Sequence, residues 1–251
     1  MIEGRRPGRV AVVTGAGGGI GRAVAVRLGG EGFAVVASDI DGARLEETGR
    51  ELARSGAHHV LLQADTADAA DVERLIAAAR RDHGRIDALV NCAGIVHVSS
   101  VEETTAADWG RVLDANLTGV FLTCRAVLPI MLEARAGRIV NFASQLAYSG
   151  AAEYSAYAAS KAAVIAFTKS LAREVSARGV TANCVAPGPI ATPMLEPSAH
   201  VWTPERVATL PLGRIGLPEE VAGAVALLLH ERDGALFTGQ TLGPNSGDVM
   251  I

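Results

Sequence analysis

Short runs of β-branched and small apolar residues alternate along the chain with longer stretches rich in Ala, Leu and Arg. Val10–Thr14 is followed by Ile20–Glu31, Ala34–Ser38 by Ala43–Arg54, and Val60–Gln63 by Ala70–Asp82. Short apolar runs suit strands buried on both faces, and the longer stretches suit the helices that cover them. The rhythm continues through a strand at Ala88–Val90, a long helix from Ala106 to Glu133 with Pro129 inside it, and a strand at Arg138–Phe142. A helix over 153–178 and a strand at Thr181–Val185 follow. This pattern predicts a parallel sheet with helices on both sides. Gly32 and Gly179 stand just past helical stretches, where C-terminal glycines belong. Between 187 and 217 periodicity is lost and six of the ten prolines collect, which predicts a long loop with short helical pieces. Loops of that length in compact domains are usually functional.

Composition narrows the class. With 251 residues and 49% hydrophobic content, the chain suits one large α/β domain over 1–251. Lys and Arg total 23 against 27 Asp and Glu, a net charge of −4 without a charge block, so no basic stripe favours nucleic acid or an anionic membrane. Val10–Val13 and Val221–Leu229 are too short to span a bilayer, and cytoplasmic location is the expectation. Cys92, Cys124 and Cys184 are odd in number and widely spaced, as reduced thiols are, and no zinc-type spacing occurs, so no metal is expected. Ile2-Glu3-Gly4-Arg5 reads either as a processing-protease site left by tag removal or as coincidence, and residues 1–7 are set apart as an N-terminal extension.

Two clusters carry candidate chemistry. Thr14-Gly15-Ala16-Gly17-Gly18-Gly19-Ile20-Gly21 joins the first strand to the first helix, where glycines let the backbone approach a pyrophosphate at the helix N-terminus. Asp39 closes the second strand, eighteen residues past Gly21. A carboxylate there accepts hydrogen bonds from ribose hydroxyls and repels a 2′-phosphate, so NAD is favoured over NADP. Ile40 follows it, and Asp65-Thr66 after the third strand is placed near adenine, although an Asp in that position also suits a helix N-cap. The second cluster is Tyr157 and Lys161, four residues apart on the helix over 153–178, with Ser144 thirteen residues before the tyrosine. An i,i+4 pair shares a helix face, and an adjacent ammonium favours the phenolate of a tyrosine whose ordinary pKa is near 10. A lone pair of this kind is more often an ordinary amphipathic pair.

The glycine-rich turn, Asn91-Cys92-Ala93-Gly94, Asn116, Ser144, Tyr157-x-x-x-Lys161 and Pro187-Gly188, all in this order, give a chain that closely resembles the short-chain dehydrogenase/reductase (SDR) family over essentially residues 8–251. The resemblance implies a Rossmann-type, doubly wound, seven-stranded parallel sheet in a three-layer α/β/α sandwich, working as a homotetramer or dimer. It implies that Ser144 hydrogen-bonds the substrate oxygen, Tyr157 exchanges a proton with it, Lys161 binds the nicotinamide ribose, and Asn116 holds a water leading from Lys161 to solvent. It places Gly15, Gly18, Gly19, Ile20, Gly21, Asp39, Ile40, Asp65, Thr66, Asn91, Ala93, Gly94, Tyr157, Lys161, Pro187, Gly188, Ile190 and Thr192 at the cofactor. Cys92 departs from the Asn usual at the second position of its motif.

The same placement surrounds the reacting carbon with Ile95, Val96, His97, Ser144, Gln145, Ala147, Tyr154, Pro189, Met194, Leu195 and Trp202, a mostly apolar set in which Gln145 is the candidate partner for a second substrate oxygen. The expectation is an NAD(H)-dependent enzyme interconverting a secondary alcohol and its ketone, a small-molecule reaction. A 3-oxoacyl-thioester reductase acting on acyl-carrier-protein or CoA substrates is the nearest alternative. A non-catalytic NAD-sensing protein would be a different class, but it would be expected to lack one of Asn116, Ser144, Tyr157 and Lys161. The apolar C-terminal residues Val249-Met250-Ile251 predict packing against a neighbouring subunit.

Overall fold

The computed structural model describes residues 8–198 and 201–250; Ile2–Arg5 and Ile251, singled out above, lie outside them. The chain runs β1 (Val10–Thr14), α1 (Gly19–Gly30), β2 (Ala34–Asp39), α2 (Gly42–Arg54), β3 (His59–Gln63), α3 (Ala69–His83) and β4 (Ala88–Asn91). It continues with α4 (Ala106–Leu113), a wide helical turn over Asp114–Thr118, α5 (Gly119–Ala134), β5 (Gly137–Phe142), α6 (Leu146–Ser149), α7 (Ser155–Val175) and β6 (Val180–Val185). Last come α8 (Pro204–Ala208), α9 (Pro218–Leu229) and β7 (Thr241–Leu242). The seven strands form one sheet in the order β3-β2-β1-β4-β5-β6-β7, every pair parallel. Strand order reverses between β1 and β4, where Thr14 pairs with Asn91, and a sheet of this kind opens its crevice at the carboxyl ends beside such a switch.

Successive strand residues point to opposite faces and therefore feed two cores. Val10, Val12, Val36, Leu89 and Ile139 meet α3, α5 and α7 through Leu75, Val127, Ile130 and Val164. Ala11, Val13, Val35, Val90 and Val140 meet α1, α2 and α9 through Val24, Leu28, Leu52, Val221 and Val225. The stretch Ala106–Ala134 is long and apolar enough to cross a bilayer by length and composition alone. Here Cys124, Val127, Ile130 and Met131 of that stretch lie in the sheet core.

Element positions follow the sequence pattern closely, and the departures have local causes. The helix expected over 106–133 widens at Asp114–Thr118, where five-residue hydrogen bonding replaces the ordinary ladder. The helix expected over 153–178 begins at Ser155, after Glu153 takes a left-handed φ of 67°, and tightens into a final turn at Ser176–Arg178. Gly179 then adopts φ 87°, and a side chain there would strike the Arg135 carbonyl. The proline-rich stretch is a loop carrying a short turn at Pro193–Ser198 and α8, as its composition predicts.

A polar ladder crosses the core between the central strands and helices. Thr123 Oγ1 donates to Asn91 Oδ1 (2.9 Å), Asn91 Nδ2 to Asn141 Oδ1 (2.9 Å) and Asn141 Nδ2 to Thr168 Oγ1 (2.9 Å). All four residues are buried, and leaving any such group unpartnered costs about 1–3 kcal/mol. The ladder thus pins α5 and α7 to the strands that end at the crevice.

Candidate active site

One cavity of about 630 Å³ runs along the carboxyl ends of the strands from Asp39 to Trp202. Its first half is built by the β1–α1 turn. Gly15 takes φ 65°, and a Cβ there would lie 2.6 Å from Ala93 N, so the turn lies directly against the loop after β4. A Cβ on Gly21 would strike the Gly15 carbonyl, which keeps α1 tight under the turn. A Cβ on Gly18 would meet nothing, and no side chain caps α1. α2, α3 and α4 by contrast are capped by Asp41, Asp68 and Thr105. An uncapped helix start with open backbone fits a pyrophosphate.

Asp39 lies at the end of that half. Its Oδ2 accepts from Gly17 N (2.8 Å) and its Oδ1 from Asp41 N (2.9 Å), so the carboxylate is held in one orientation at the cavity rim. The tie to Gly17 is legible only once the turn and β2 are side by side. Ile40 is 64% exposed at the rim, and Arg44 also lines the wall. Asp65 accepts from Ala67 N (2.8 Å), and the cap of α3 is Asp68, so Asp65 is not the N-cap its position also suited. Asp65, Thr66, Ala93, Gly94, Pro187, Gly188, Ile190 and Thr192 all line the cavity, and Thr192 packs its methyl over Gly19. Asn91 does not line it and belongs to the buried ladder, and Cys92 lines it instead.

Ser144, Tyr157 and Lys161 converge on the second half. Lys161 Nζ donates to the Phe142 carbonyl (2.9 Å) and lies 5.7 Å from the centre of the Tyr157 ring. Burial pushes the Lys161 ammonium down to about 8. Burial raises the Tyr157 phenol, and the Ser144 hydroxyl, hydrogen-bonded to it, works in the opposite direction. Burial also holds the Cys92 thiol well above its ordinary range, so it stays protonated beside Lys161. Asn116 sits in the widened turn just behind this group. Its Oδ1 accepts from Ile95 N (2.7 Å), while its Nδ2 donates to Ile95 O (2.9 Å) and Ser160 Oγ (3.0 Å). A Cβ on Gly94 would lie 2.7 Å from Asn116 Oδ1 and 3.3 Å from Lys161 Nζ, so glycine is needed where these groups close together.

Of the residues expected around the reacting carbon, Ile95, Val96, Gln145, Tyr154, Pro189, Met194, Leu195 and Trp202 line the cavity, and Leu146, Ala151 and Val201 join them. His97 and Ala147 do not. The Nε2 of His97 is buried without a partner, away from the cavity. Gln145 is 4% exposed, and its Nε2 donates to Asp248 Oδ2 (2.7 Å), a partner 103 residues away that local pattern gives no means of finding. Among the described residues no group of three or more His, Cys, Asp and Glu side chains gathers as a metal site.

The family profile described as short chain dehydrogenase matches residues 9–201. The chain is 40% identical over 244 residues to a 3-oxoacyl-[acyl-carrier-protein] reductase of Synechocystis, covering 97% of this chain and 98% of that one. Among solved structures it superposes on levodione reductase with a TM-score of 0.92 at 35% identity, covering 95% of this chain and 96% of the other. An actinorhodin polyketide ketoreductase variant solved with NADPH gives the same TM-score and identity over 98% and 99%. With its seven-stranded sheet and its Ser, Tyr and Lys meeting beside a glycine-rich turn, the chain belongs to the short-chain dehydrogenase/reductase family.

Proposed function

We propose that this chain is an NAD(H)-dependent oxidoreductase that interconverts a secondary alcohol and its ketone. The observation that carries the reading is the convergence of Ser144, Tyr157 and Lys161 on one cavity continuous with the uncapped start of α1. Gly15, Gly18, Gly19, Ile20 and Gly21 would hold the pyrophosphate, Asp39 the adenosine ribose, Lys161 the second ribose, and Ile190 and Thr192 the carboxamide. When bound, nicotinamide supplies the hydride-exchanging carbon and, in its oxidised form, a positive charge. Ser144 donates to the substrate oxygen. Tyr157 gives that oxygen a proton in reduction and removes it in oxidation, a positioned acid/base role worth about 10²–10⁴-fold. Lys161 favours the phenolate by its charge, and Asn116 would hold the water that returns the proton to solvent.

Among ketones, the relatives support a 3-oxoacyl thioester ahead of an unactivated ketone, because the Synechocystis protein is named for that activity at 40% identity over nearly the whole chain. The likeness to levodione reductase supports the broader ketone reading. A sensor without turnover has less support, since no member of the catalytic set is missing. The loop over 187–217 is taken as the substrate-binding segment, since Met194, Leu195, Val201 and Trp202 all come from it. A homotetramer is the proposed assembly. A groove of about 690 Å³ between α5 and α7 supports it, lined by Phe121, Leu128, Leu132, Phe167 and Leu171, with Phe121 44% exposed.

Acetoacetyl-CoA and a panel of cyclic and acyclic ketones should be reduced with NADH, and Tyr157→Phe should lower turnover by at least about 10²-fold while NAD still binds. Retained turnover in that variant would remove the acid/base role. Asp39→Ala should raise KM for NAD by about tenfold or more and shift the ratio toward NADP, because it deletes hydrogen bonds to a charged acceptor. An unchanged cofactor ratio would contradict the ribose assignment. Static light scattering at micromolar concentration should give a tetramer mass, and a monomer mass would overturn the assembly.

The buried charge of Lys161 has its own signature. Its folded pKa is depressed to about 8 from 10.5, so between those values the unfolded chain binds more protons and stability rises with pH. The cost of burying the charge is full below pH 8, on the order of 3 kcal/mol, less about 1 kcal/mol for the bond to Phe142 O. Lys161→Met should therefore be inactive yet melt higher than the parent at pH 7, with the gap narrowing from pH 8 to 10. A variant that melts lower at pH 7, or a gap that widens with pH, would refute the charge cost.

A further inference from the structure

Asp248 is the last charged residue of the chain, and both of its oxygens are engaged. Oδ2 accepts from Gln145 Nε2 (2.7 Å) and Oδ1 from Arg206 Nη2 (2.8 Å). Its side chain is 12% exposed, against 45% for Arg206. Gln145 lines the cavity, and Arg206 stands on the loop that carries the cavity-lining Trp202. Gln145 follows Ser144 directly, and its backbone N donates to Pro187 O (3.0 Å). Arg206 lies on α8 in the proline-rich loop, with its guanidinium 5.4 Å from the ring centre of the cavity-lining Trp202.

The segment that presents Asp248 is built for the purpose. Asn245 Oδ1 accepts from Gly247 N (3.0 Å), Asn245 Nδ2 donates to Val249 O (2.6 Å), and Asp248 N returns to Asn245 O (3.0 Å). Ser246 and Gly247 take left-handed φ values of 57° and 80°, and a Cβ on Gly247 would lie 2.8 Å from Pro211. The turn is tied on both sides, by Gly188 N to Pro244 O (3.1 Å) and Leu212 N to Ser246 O (3.2 Å). The carboxylate also fixes the Gln145 amide, because an acceptor-only partner must face Nε2. The other end, Oε1, is left buried with no donor beside Gly188. An amide held with one end unsatisfied is held there by its partner.

We propose that Asp248 is a positioning residue that clasps the two walls of the substrate cavity, Gln145 on one side and the Arg206–Trp202 pair on the other, and so sets the width of the pocket. The proposal rests on the reading of this cavity as the substrate site. Its expected signature is a larger change in substrate KM than in KM for NAD, since Gln145 and Arg206 stand apart from the glycine-rich turn and Asp39, and Gln145 meets the cofactor side only at Pro187 and Gly188.

The test has one arm that needs no substrate. Only Trp109 and Trp202 are present, so in a Trp109→Phe background the fluorescence and acrylamide quenching of Trp202 report the loop wall alone. Asp248→Ala and Arg206→Ala should each increase Trp202 quenching and raise substrate KM by about tenfold or more. The exchanged pair Arg206→Asp/Asp248→Arg should bring both values back to within about threefold of the parent, because the Gln145 amide can turn its Oε1 toward the new guanidinium. Lost packing alone would not be rescued by exchange. Unchanged Trp202 quenching in Asp248→Ala, or an exchange that rescues neither value, would overturn the clasp. If no ketone in the panel turns over, the functional reading fails while the quenching arm still decides the clasp. Far-UV circular dichroism of each variant separates loop release from misfolding, and Asp248→Glu, retaining the charge, should show the smaller effect of the two Asp248 substitutions.

Discussion

The site is organised around one ammonium group buried without a carboxylate partner among the described residues. Lys161 is 4% exposed and donates to the Phe142 carbonyl at the carboxyl end of β5. A charge in such a place is expensive, and its environment must be rigid enough not to admit a cheaper arrangement. Three features supply that rigidity. Gly94 lets the loop after β4 close to within reach of Nζ. Asn116 bonds that loop on both its N–H and C=O through Ile95, and bonds α7 through Ser160. The Asn91–Asn141–Thr168 ladder then anchors α7 on the sheet from below. The cost of burial is thus offset by packing laid down along three separate elements, which hold the cation 5.7 Å from the centre of the Tyr157 ring.

The parts of this arrangement that depend on local order were legible in the sequence. Alternating strand residues divide into two cores by their parity, the glycine-rich turn lies between β1 and α1, and Tyr157 and Lys161 share a face of α7 because they are one turn apart. What stayed hidden depends on contacts between distant residues. The widened turn at Asp114–Thr118 exists where the Asn116 side chain bonds Ile95, twenty-one positions earlier, and helix propensity contains nothing of that. Its motif puts Asn91 at the cofactor, but its amide turns inward to Asn141, and Cys92 lines the cavity in its stead. His97 and Ala147 neighbour cavity residues in the chain, and proximity does not fix direction. β7 is only two residues long, too short to leave a pattern, and is held beside β6 with help from Asn183, which bonds Phe237 O and Gln240 N.

The second half of the cavity shows the same division between local rule and distant contact. The loss of periodicity over 187–217 reveals the loop, but not what closes it. Closure comes from the other end of the chain, where a turn with two left-handed residues delivers a carboxylate to both walls. Gln145, expected to face a substrate oxygen, lines the cavity with its Nε2 held by that carboxylate.

The proposed cofactor preference also rests on a residue with two tasks. Asp39 would select against a 2′-phosphate by charge, but its oxygens already accept from Gly17 and Asp41. A Cβ on Gly17 would fall 2.7 Å from the Asp39 carboxyl carbon, so the turn and the carboxylate are packed as one unit. Replacing Asp39 with an apolar residue would therefore remove the repulsion and at the same time strip two backbone N–H groups of their acceptor. Arg44, on the same wall, is paired with Asp41 (3.4 Å), so a carboxylate stays beside it after that replacement. A change of cofactor at this site has to keep an acceptor for Gly17 while removing the negative charge, and a neutral hydrogen-bonding residue at position 39 meets both demands where alanine meets only the second.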